Sequence, residues 1–342
     1  MVKLIIDFVQ FLYSTLPLLT SLAVFTLLAV LLSKSIKKYA TAYYIVLAIP
    51  FVLVAVPFIG RLFGLEMFNF SGIPFLGSVL RDYIHMGAFG FPLLVIIMYT
   101  GALNPKTGWV KRLLAIRKEL SIISGFPVLT HSLVRVANNF PPALKFFTDN
   151  EEYMATTKVT NELGAGITSF SFVLGIVMLA IFLPLWVTSF DSVHKRMGGV
   201  KWKKLQKWAY VLYAALFIHA MGIQVGYMLN PRVRDMPRPA VEASAAANTQ
   251  HIITESTATQ QQPEKPSGEN ANLQKREREV QREVAKKTIQ GEHGRQTKGF
   301  ADMDVSPQAK RYLHIVSLVL IFGLYLYLRL RKAKKDAVSK VH

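Results

Sequence analysis

The sequence predicts an all-helical, polytopic membrane protein with about seven transmembrane helices, its N-terminus outside and its C-terminus in the cytoplasm. Of its 342 residues, 51% are hydrophobic, and they are concentrated in long apolar runs. A run of about 18 or more apolar residues can cross a bilayer as a helix. The chain has no cysteine, which excludes disulfides, thiolate metal sites and iron–sulfur clusters.

The loops between the predicted spans alternate in charge. Lysines and arginines follow spans one, three, five and seven, whereas loop 61–82 is near neutral and loop 138–163 is acidic. Because cytoplasmic loops carry the excess of cations, a single orientation places every basic loop inside. The net charge of +19 therefore indicates membrane topology and does not indicate a nucleic-acid partner. The spans lie at 11–33, 41–60, 83–103, 119–137, 165–188, 205–229 and 311–330.

Each span has its own boundary signals. Span one has no basic region before it beyond Lys3 and no A-x-A site after it, so we expect it to be retained rather than cleaved. Spans four and six begin at basic collars, Arg117-Lys118 and Lys203-Lys204, and span seven ends at another. Prolines inside spans are expected to bend helices, since neighbouring helices satisfy the freed backbone groups. They are Pro50, Pro57, Pro127 and Pro184.

Residues 231–310 form a long polar insertion on the outer side. Its first part is poor in bulky apolar residues, which is typical of disordered segments. Its second part, NLQKREREVQREVAKKTIQ, has alternating charges that suit a solvated helix. Two interpretations remain open, a docking arm for a partner protein and a solvated linker.

Two histidines lie deep inside apolar spans. His131 is twelve residues past Glu119, roughly 18 Å along span four, and His219 is fourteen past Leu205, roughly 21 Å along span six. Imidazole is a common axial ligand of haem iron, and an ionisable residue inside a membrane suggests a functional site. The similar depths would allow one b-type haem to be held between the two helices. The alternative is two unrelated histidines that hydrogen-bond neighbouring helices.

Segments 117–131 and 188–219 resemble the ferric-reductase-like transmembrane superfamily, and most closely the haem-binding membrane subunits of methionine-sulfoxide reductase systems, the MsrQ-like family. The resemblance covers about residues 83–229. Where the family has a collar histidine this sequence has Gln206, and Lys118 takes the equivalent place on span four. We therefore expect one bis-histidine haem. The matching positions in the second segment are Thr188, Ser189, Arg196, Gly199, Trp202, Leu205, Tyr210 and His219.

The resemblance implies a four-helix haem-binding core at 83–229. Outside the matched part, hydropathy and composition predict two helices in 1–82, the polar insertion 230–310, and a last helix with a basic tail in 311–342. The resemblance also implies flavin mononucleotide at the cytoplasmic end, a cytosolic flavin reductase as electron donor, and a bacterial inner membrane. The acceptor would be an extracytoplasmic reductase or a small molecule. Positive-inside topology alone also explains the cations there. The residues suited to a flavin are Arg117, Arg196, Trp202 and Lys203.

His85 and His314 lie near the outer ends of spans three and seven, at matching depth. They could ligate a second, shallower haem, line a quinone site, or lie at the membrane interface with their polar tips in water.

Two other functions stay open beside transmembrane electron transfer. One is a non-redox transporter or assembly protein. The other is a reductase that acts directly on ferric iron or quinone at an outer site lined by Arg81, Asp82, His85 and His314.

Overall fold

A computed structural model describes residues 16–65, 87–157, 159–231 and 305–338. In these four ranges the regular secondary structure is entirely α-helical. The helices are α1 Pro17–Leu31, α2 Ser33–Lys38, α3 Ala40–Leu62, α4 Gly90–Thr100, α5 Gly108–Ala115, α6 Arg117–Asn138, α7 Phe140–Thr148, α8 Asn150–Thr156, α9 Glu162–Val187, α10 Asp191–Met197, α11 Gly199–Gln206, α12 Trp208–Leu229 and α13 Pro307–Val338.

Five helical segments of the described chain are long and apolar enough to cross a membrane: Ala40–Gly60, Arg117–Asn138, Glu162–Val187, Gly199–Leu229 and Pro307–Lys335. They correspond to predicted spans two, four, five, six and seven. The predicted first and third spans overlap shorter apolar helices, α1 and α4, and each borders residues outside the described ranges. Those two spans therefore remain predictions. All four prolines lie inside helices, as the sequence predicted.

Helices α4, α6, α9 and α12 pack around a shared set of buried side chains. Helix α6 contacts α3, α4 and α9, whereas α12 contacts α9 and α13. In a membrane, the apolar faces elsewhere on these helices meet lipid. Burial of these side chains therefore stabilises the bundle through close packing, and not by removing apolar surface from water. The buried set consists of Leu94, Phe182, Leu185, Leu212 and Leu216, with Val128 and Leu129 of α6 packed against it.

Helices α9 and α12 approach most closely, because small residues line their interface. A side-chain carbon added at Gly226 would lie 2.9 Å from the backbone oxygen of Gly164, and one added at Gly164 would lie 2.7 Å from Leu229 Cβ. One added at Gly222 would overlap Ser171 Oγ. Gly222 and Gly226 form a G-x-x-x-G pair, a pattern that lets membrane helices pack backbone to backbone.

The basic segments that follow predicted spans one, three, five and seven lie at one end of this bundle. Contacts join each of them to another. Lys37 Nζ donates to the carbonyl oxygen of Ala115 at 2.9 Å, and Lys118 Nζ lies 2.9 Å from Asp191 Oδ2. Arg329 of α13 donates to the hydroxyl of Tyr210 and, at 3.3 Å, to the carbonyl oxygen of Gly101. The alternation of basic loops in the sequence thus corresponds to one basic end of the molecule.

The opposite end carries two short helices, α7 and α8, in a stretch that the sequence suggested was a loop. Asp149 caps α8 by accepting a hydrogen bond from the backbone nitrogen of Glu152 at 3.0 Å. Lys145 of α7 forms an ion pair with Glu152 of α8. The predicted disordered and helical parts of the insertion at 231–310 lie almost entirely outside the described residues.

Candidate functional site

His219 lies in the middle of α12 and faces α9. Its Nδ1 is 2.6 Å from the backbone carbonyl oxygen of Ser171. Because a carbonyl oxygen only accepts, Nδ1 carries the proton and donates it, and Nε2 of the neutral ring keeps its lone pair. Metal-binding histidines usually donate one ring N–H to a carbonyl or a carboxylate and bind the metal through the other ring nitrogen.

The close approach of α9 and α12 makes this hydrogen bond possible. A side-chain carbon at Gly175 would lie 3.2 Å from His219 Cε1, so the imidazole occupies the space that a side chain there would need. Gly222 lies one turn beyond His219 and faces the same helix. The small residues therefore position the histidine. Its Nε2, which keeps a lone pair, could ligate iron.

His131 lies on α6 and packs against the turn that precedes α4. Gly87 in this turn has φ of 76°, and a side-chain carbon there would lie 3.3 Å from His131 Cε1. The left-handed conformation favours glycine. Both ligand candidates thus contact a glycine, one in a turn and one in a helix.

Contacts at the basic end give the relative depths of the two histidines. Ser121 Oγ of α6 lies 3.0 Å from Ser189 Oγ, and Gln206 Nε2 at the end of α11 lies 3.5 Å from Thr188 Oγ1. Residues 121 and 206 therefore share a level. From there His131 is ten residues along α6, roughly 15 Å, and His219 is thirteen residues along, roughly 20 Å. The two histidines thus differ in depth by about 5 Å, on helices that belong to the same bundle.

Of the alternative pair, His85 and His314, the structure describes only His314. His85 lies outside the described residues, together with Arg81 and Asp82. His314 is described, and α13 runs antiparallel to α12, with Phe322 beside Phe217 and Tyr325 near Tyr213. This pairing places His314 level with residue 224 or so of α12, roughly 7 Å farther out than His219. His314 therefore lies at a shallower level than the His131 and His219 pair.

At the basic end, the predicted flavin-binding residues have different surroundings. Trp202 Nε1 donates to the carbonyl oxygen of Thr188 at 3.1 Å, and its ring centre lies 4.7 Å from that of His194. The indole N–H thus fastens α11 to the end of α9. Arg117, Arg196 and Lys203 are exposed on the surface of this end. These three side chains are exposed to solvent, whereas the indole N–H of Trp202 is already used in a hydrogen bond within the protein.

The ion pair of Lys118 and Asp191 joins the start of α6 to α10. The ammonium of Lys118, which donates a hydrogen bond to Asp191, holds the pKa of that carboxyl below its usual range. The motif serine and threonine act nearby: Ser189 contacts Ser121, and the carbonyl of Thr188 receives Trp202. The motif residues at this end therefore hold three helices together.

Several residues of the site were not identified from the sequence. The carbonyl of Ser171 has no sequence signature, since every residue has one. The G-x-x-x-G spacing of Gly222 and Gly226, one turn after His219, was a readable signal for a close helix pair.

The central part of the chain is similar to a known protein family. Residues 83–217 match the family described as "Ferric reductase like transmembrane component". This match supports the ferric-reductase-like superfamily that the sequence suggested, and with it a membrane electron-transfer role. It includes His131 and ends two residues before His219. No solved structure matches the chain.

Two curated relatives match parts of the chain. An "Uncharacterized protein" of Treponema pallidum is 30% identical over 204 residues, which are 58% of this chain and 50% of the relative. The "Magnetosome protein MamZ" of Paramagnetospirillum magneticum is 28% identical over 136 residues, 40% of this chain and 18% of the relative. The chain thus spans half the length of the first relative and less than a fifth of the second.

Proposed function

We propose that this protein carries electrons across a membrane, from a flavin donor on the cytoplasmic side to an acceptor on the other side, through one b-type haem ligated by His131 and His219. The observation that carries the proposal is the hydrogen bond from His219 Nδ1 to the carbonyl of Ser171. It leaves Nε2 as the donor atom, inside a helix bundle whose core matches a ferric-reductase-like family.

His131 and His219 would hold the iron of a bound haem, and the haem would supply a one-electron carrier. The protein's own part is to orient those imidazoles and to exclude water. The carbonyl of Ser171 fixes the tautomer of His219, and the turn at Gly87 covers His131. The iron would be held by Nε2 of His219 and by a ring nitrogen of His131.

The inner half of the core supports a single haem. Leu94, Leu185 and Leu212 fill the space between the four helices on the basic side of the two histidines, and Gln206 hydrogen-bonds Thr188. A second, inner haem would need two further histidines and an open space at that level. We therefore propose one haem, with the cations Arg117, Arg196 and Lys203 receiving the phosphate of a flavin mononucleotide beside Trp202.

The finer assignments belong to the same proposal. We place the basic end in the cytoplasm, because cytoplasmic ends carry the excess of lysine and arginine. With the seven spans that hydropathy predicts, this orientation places the N-terminus outside and the C-terminus inside. We assign the membrane as a bacterial inner membrane. A cytosolic flavin reductase would be the donor. An extracytoplasmic reductase, as in the MsrQ-like family, or a small acceptor would take the electron.

Absorption spectra of the purified protein test the haem and its ligands. The wild type, oxidised and dithionite-reduced, is expected to show a low-spin b-type spectrum that is lost in His131→Ala and in His219→Ala. His194→Ala, at the exposed basic end, is the matched control and should keep the spectrum. A colourless wild type expressed with ample haem would favour a transporter. Colour retained in both variants but lost in His314→Ala would move the site outward.

A further inference from the structure

A narrow apolar groove lies between α1, α4, α5 and α13, and it reaches the basic end of the bundle. Its volume is about 300 Å³. Leu320 and Leu324 of α13 line it and are more than half exposed, so the groove is open toward the surrounding lipid. The other helices contribute Leu22 of α1, Leu103 just after α4 and Trp109 of α5.

The polar side chains in the lining are already satisfied by the protein. Thr26 Oγ1 donates to the carbonyl oxygen of Leu22 at 2.7 Å, and the hydroxyl of Tyr99 donates to the carbonyl oxygen of Ile321. The interior of the groove therefore suits an apolar chain better than a polar substrate. Trp109 is exposed at the basic end, and tryptophan is common where a protein meets the membrane interface.

Two cations of α13 meet beside this groove. Arg329 Nη1 donates to the carbonyl oxygen of Gly101 at 3.3 Å, and Lys332 Nζ donates to the same oxygen at 3.0 Å. Gly101 lies two residues before Leu103, which lines the groove. Lys332 lies eleven residues after Ile321, about three helical turns, so it continues the face of α13 that lines the groove.

No carboxylate neutralises these two cations in the part of the chain that the structure describes. The ion pairs there use Lys118 and Lys145. Arg329 instead lies 5.2 Å from the centre of the Tyr210 ring and donates to its hydroxyl, which can still donate its own proton. Because two cations on one acceptor repel each other, an anion bound beside them would stabilise the arrangement.

We propose that this is a binding site for one anionic phospholipid from the leaflet at the basic end. Arg329 and Lys332 bind its phosphate, since guanidinium and ammonium groups both form charged hydrogen bonds to phosphate. One acyl chain lies in the groove. A free phosphate would use the cations and leave the groove empty, so the two features together favour a lipid. The lipid would fasten α13, which lies outside the family match at 83–217, to α1, α4 and α5. The inference does not rest on the proposed haem.

Native mass spectrometry of the full-length protein in detergent tests the headgroup site. The protein is titrated with phosphatidylglycerol and with phosphatidylcholine of the same acyl chains, whose headgroup has no net charge. The wild type is expected to bind phosphatidylglycerol about tenfold more tightly. Arg329→Gln and Lys332→Gln should each weaken that binding by about fivefold, the effect of one cation near an anionic membrane surface.

Lys334→Gln is the matched control for these variants. Lys334 is exposed on the same helix, two residues after Lys332 and therefore on a different face, so its loss should leave the affinity unchanged. An equal loss in Lys332→Gln and Lys334→Gln would mean that the helix attracts anionic lipid only through its total charge, which would overturn the site. Equal affinity of the wild type for the two lipids would also overturn it.

A second pair of variants tests the groove. Thr26→Phe should take the space of the acyl chain and lower the affinity for phosphatidylglycerol several-fold. Val24→Phe adds the same ring on an exposed face of α1 and should keep the wild-type affinity. Unchanged affinity in Thr26→Phe, or displacement of the lipid by excess glycerol phosphate, would overturn the lipid assignment. None of these outcomes bears on His131 or His219, because no haem is needed for the measurement.

Discussion

A single carbonyl oxygen determines which nitrogen of His219 is available to a metal. The 2.6 Å contact with Ser171 requires the proton on Nδ1. The histidine itself could be predicted from the sequence, because an imidazole inside an apolar span is unusual. Its partner could not, since the acceptor is a backbone atom brought near only by the packing of two helices.

The turn that covers His131 gives a prediction at the residue scale. Gly87→Ala should cost about 1–2 kcal/mol for the left-handed backbone and should also push the added methyl group against His131. We expect lower thermal stability together with weaker haem retention. Gly64→Ala is the matched control, because Gly64 has φ of 69° and open space around it. If both variants retain haem equally, the turn does not position His131.

The Asp191 carboxyl gives a prediction of pH dependence. Its pKa is lowered in the folded protein by Lys118, so the stabilisation is present above the unfolded value and is lost as pH falls through the lower folded value. Asp191→Asn should therefore reduce stability at neutral pH and make little difference well below pH 3.8. Because the side chain is 63% exposed, the effect should not exceed about 1 kcal/mol.

Denaturation of the wild type and Asp191→Asn across this pH range checks the sign. Asp149→Asn would be a poor control because that residue caps a helix. Glu151→Gln is better, since Glu151 is exposed at the opposite end of the molecule. A difference between the wild type and Asp191→Asn that grew at acidic pH would contradict the ion-pair explanation.

At the scale of helices, the contact between α9 and α12 explains how the histidine site is held. Gly222→Ala would place a methyl group on Ser171 Oγ and should cost about 1–3 kcal/mol by overpacking. Ser171→Ala removes that oxygen but keeps the carbonyl that His219 uses. The double variant should therefore recover much of the lost stability and haem content, which a double-mutant cycle measures.

Gly323→Ala on α13 is the control for this cycle. An added carbon there has nothing within 4 Å, so alanine should be neutral or slightly stabilising through its helix propensity. Additive effects of Gly222→Ala and Ser171→Ala would mean that Gly222→Ala does not act through a clash with Ser171 Oγ. In that case the small residues would not be what positions His219.

The sequence predicted long helices better than short ones. Apolar length alone identified the spans at 119–137 and 165–188, whose helices are Arg117–Asn138 and Glu162–Val187. It did not identify α7 and α8, because short surface helices depend on capping and on neighbours such as Lys145 and Glu152. At nine and seven residues, both helices are also much shorter than the apolar runs that predict a membrane span.

At the scale of the whole molecule, the charge pattern was the most informative feature. Basic segments that are far apart in the sequence meet through contacts such as Lys37 with Ala115 and Arg329 with Gly101. Hydropathy and charge could predict that arrangement because each loop contributes independently. They could not predict the offset of about 5 Å in depth between His131 and His219, because it depends on how the helices are aligned.

The orientation of the bundle decides the direction of electron flow, and the absence of cysteine makes it measurable. Single cysteines can be introduced without removing any native one. Val200→Cys reports on the basic end, where Val200 is 85% exposed, and Glu151→Cys reports on the opposite end. Because cations remain on the cytoplasmic side, a membrane-impermeant maleimide should label Glu151→Cys in intact spheroplasts. It should label Val200→Cys only after the membrane is opened.

The unlabelled wild type serves as the control for background reaction. Labelling of Val200→Cys in sealed spheroplasts, with Glu151→Cys protected, would invert the protein in the membrane. His219, which lies roughly 20 Å from the basic end, would then sit nearer the cytoplasm than the outer face. The exposed cations Arg117, Arg196 and Lys203 would face away from any cytosolic flavin donor. The proposed electron path depends on this one measurement more directly than on any single side chain.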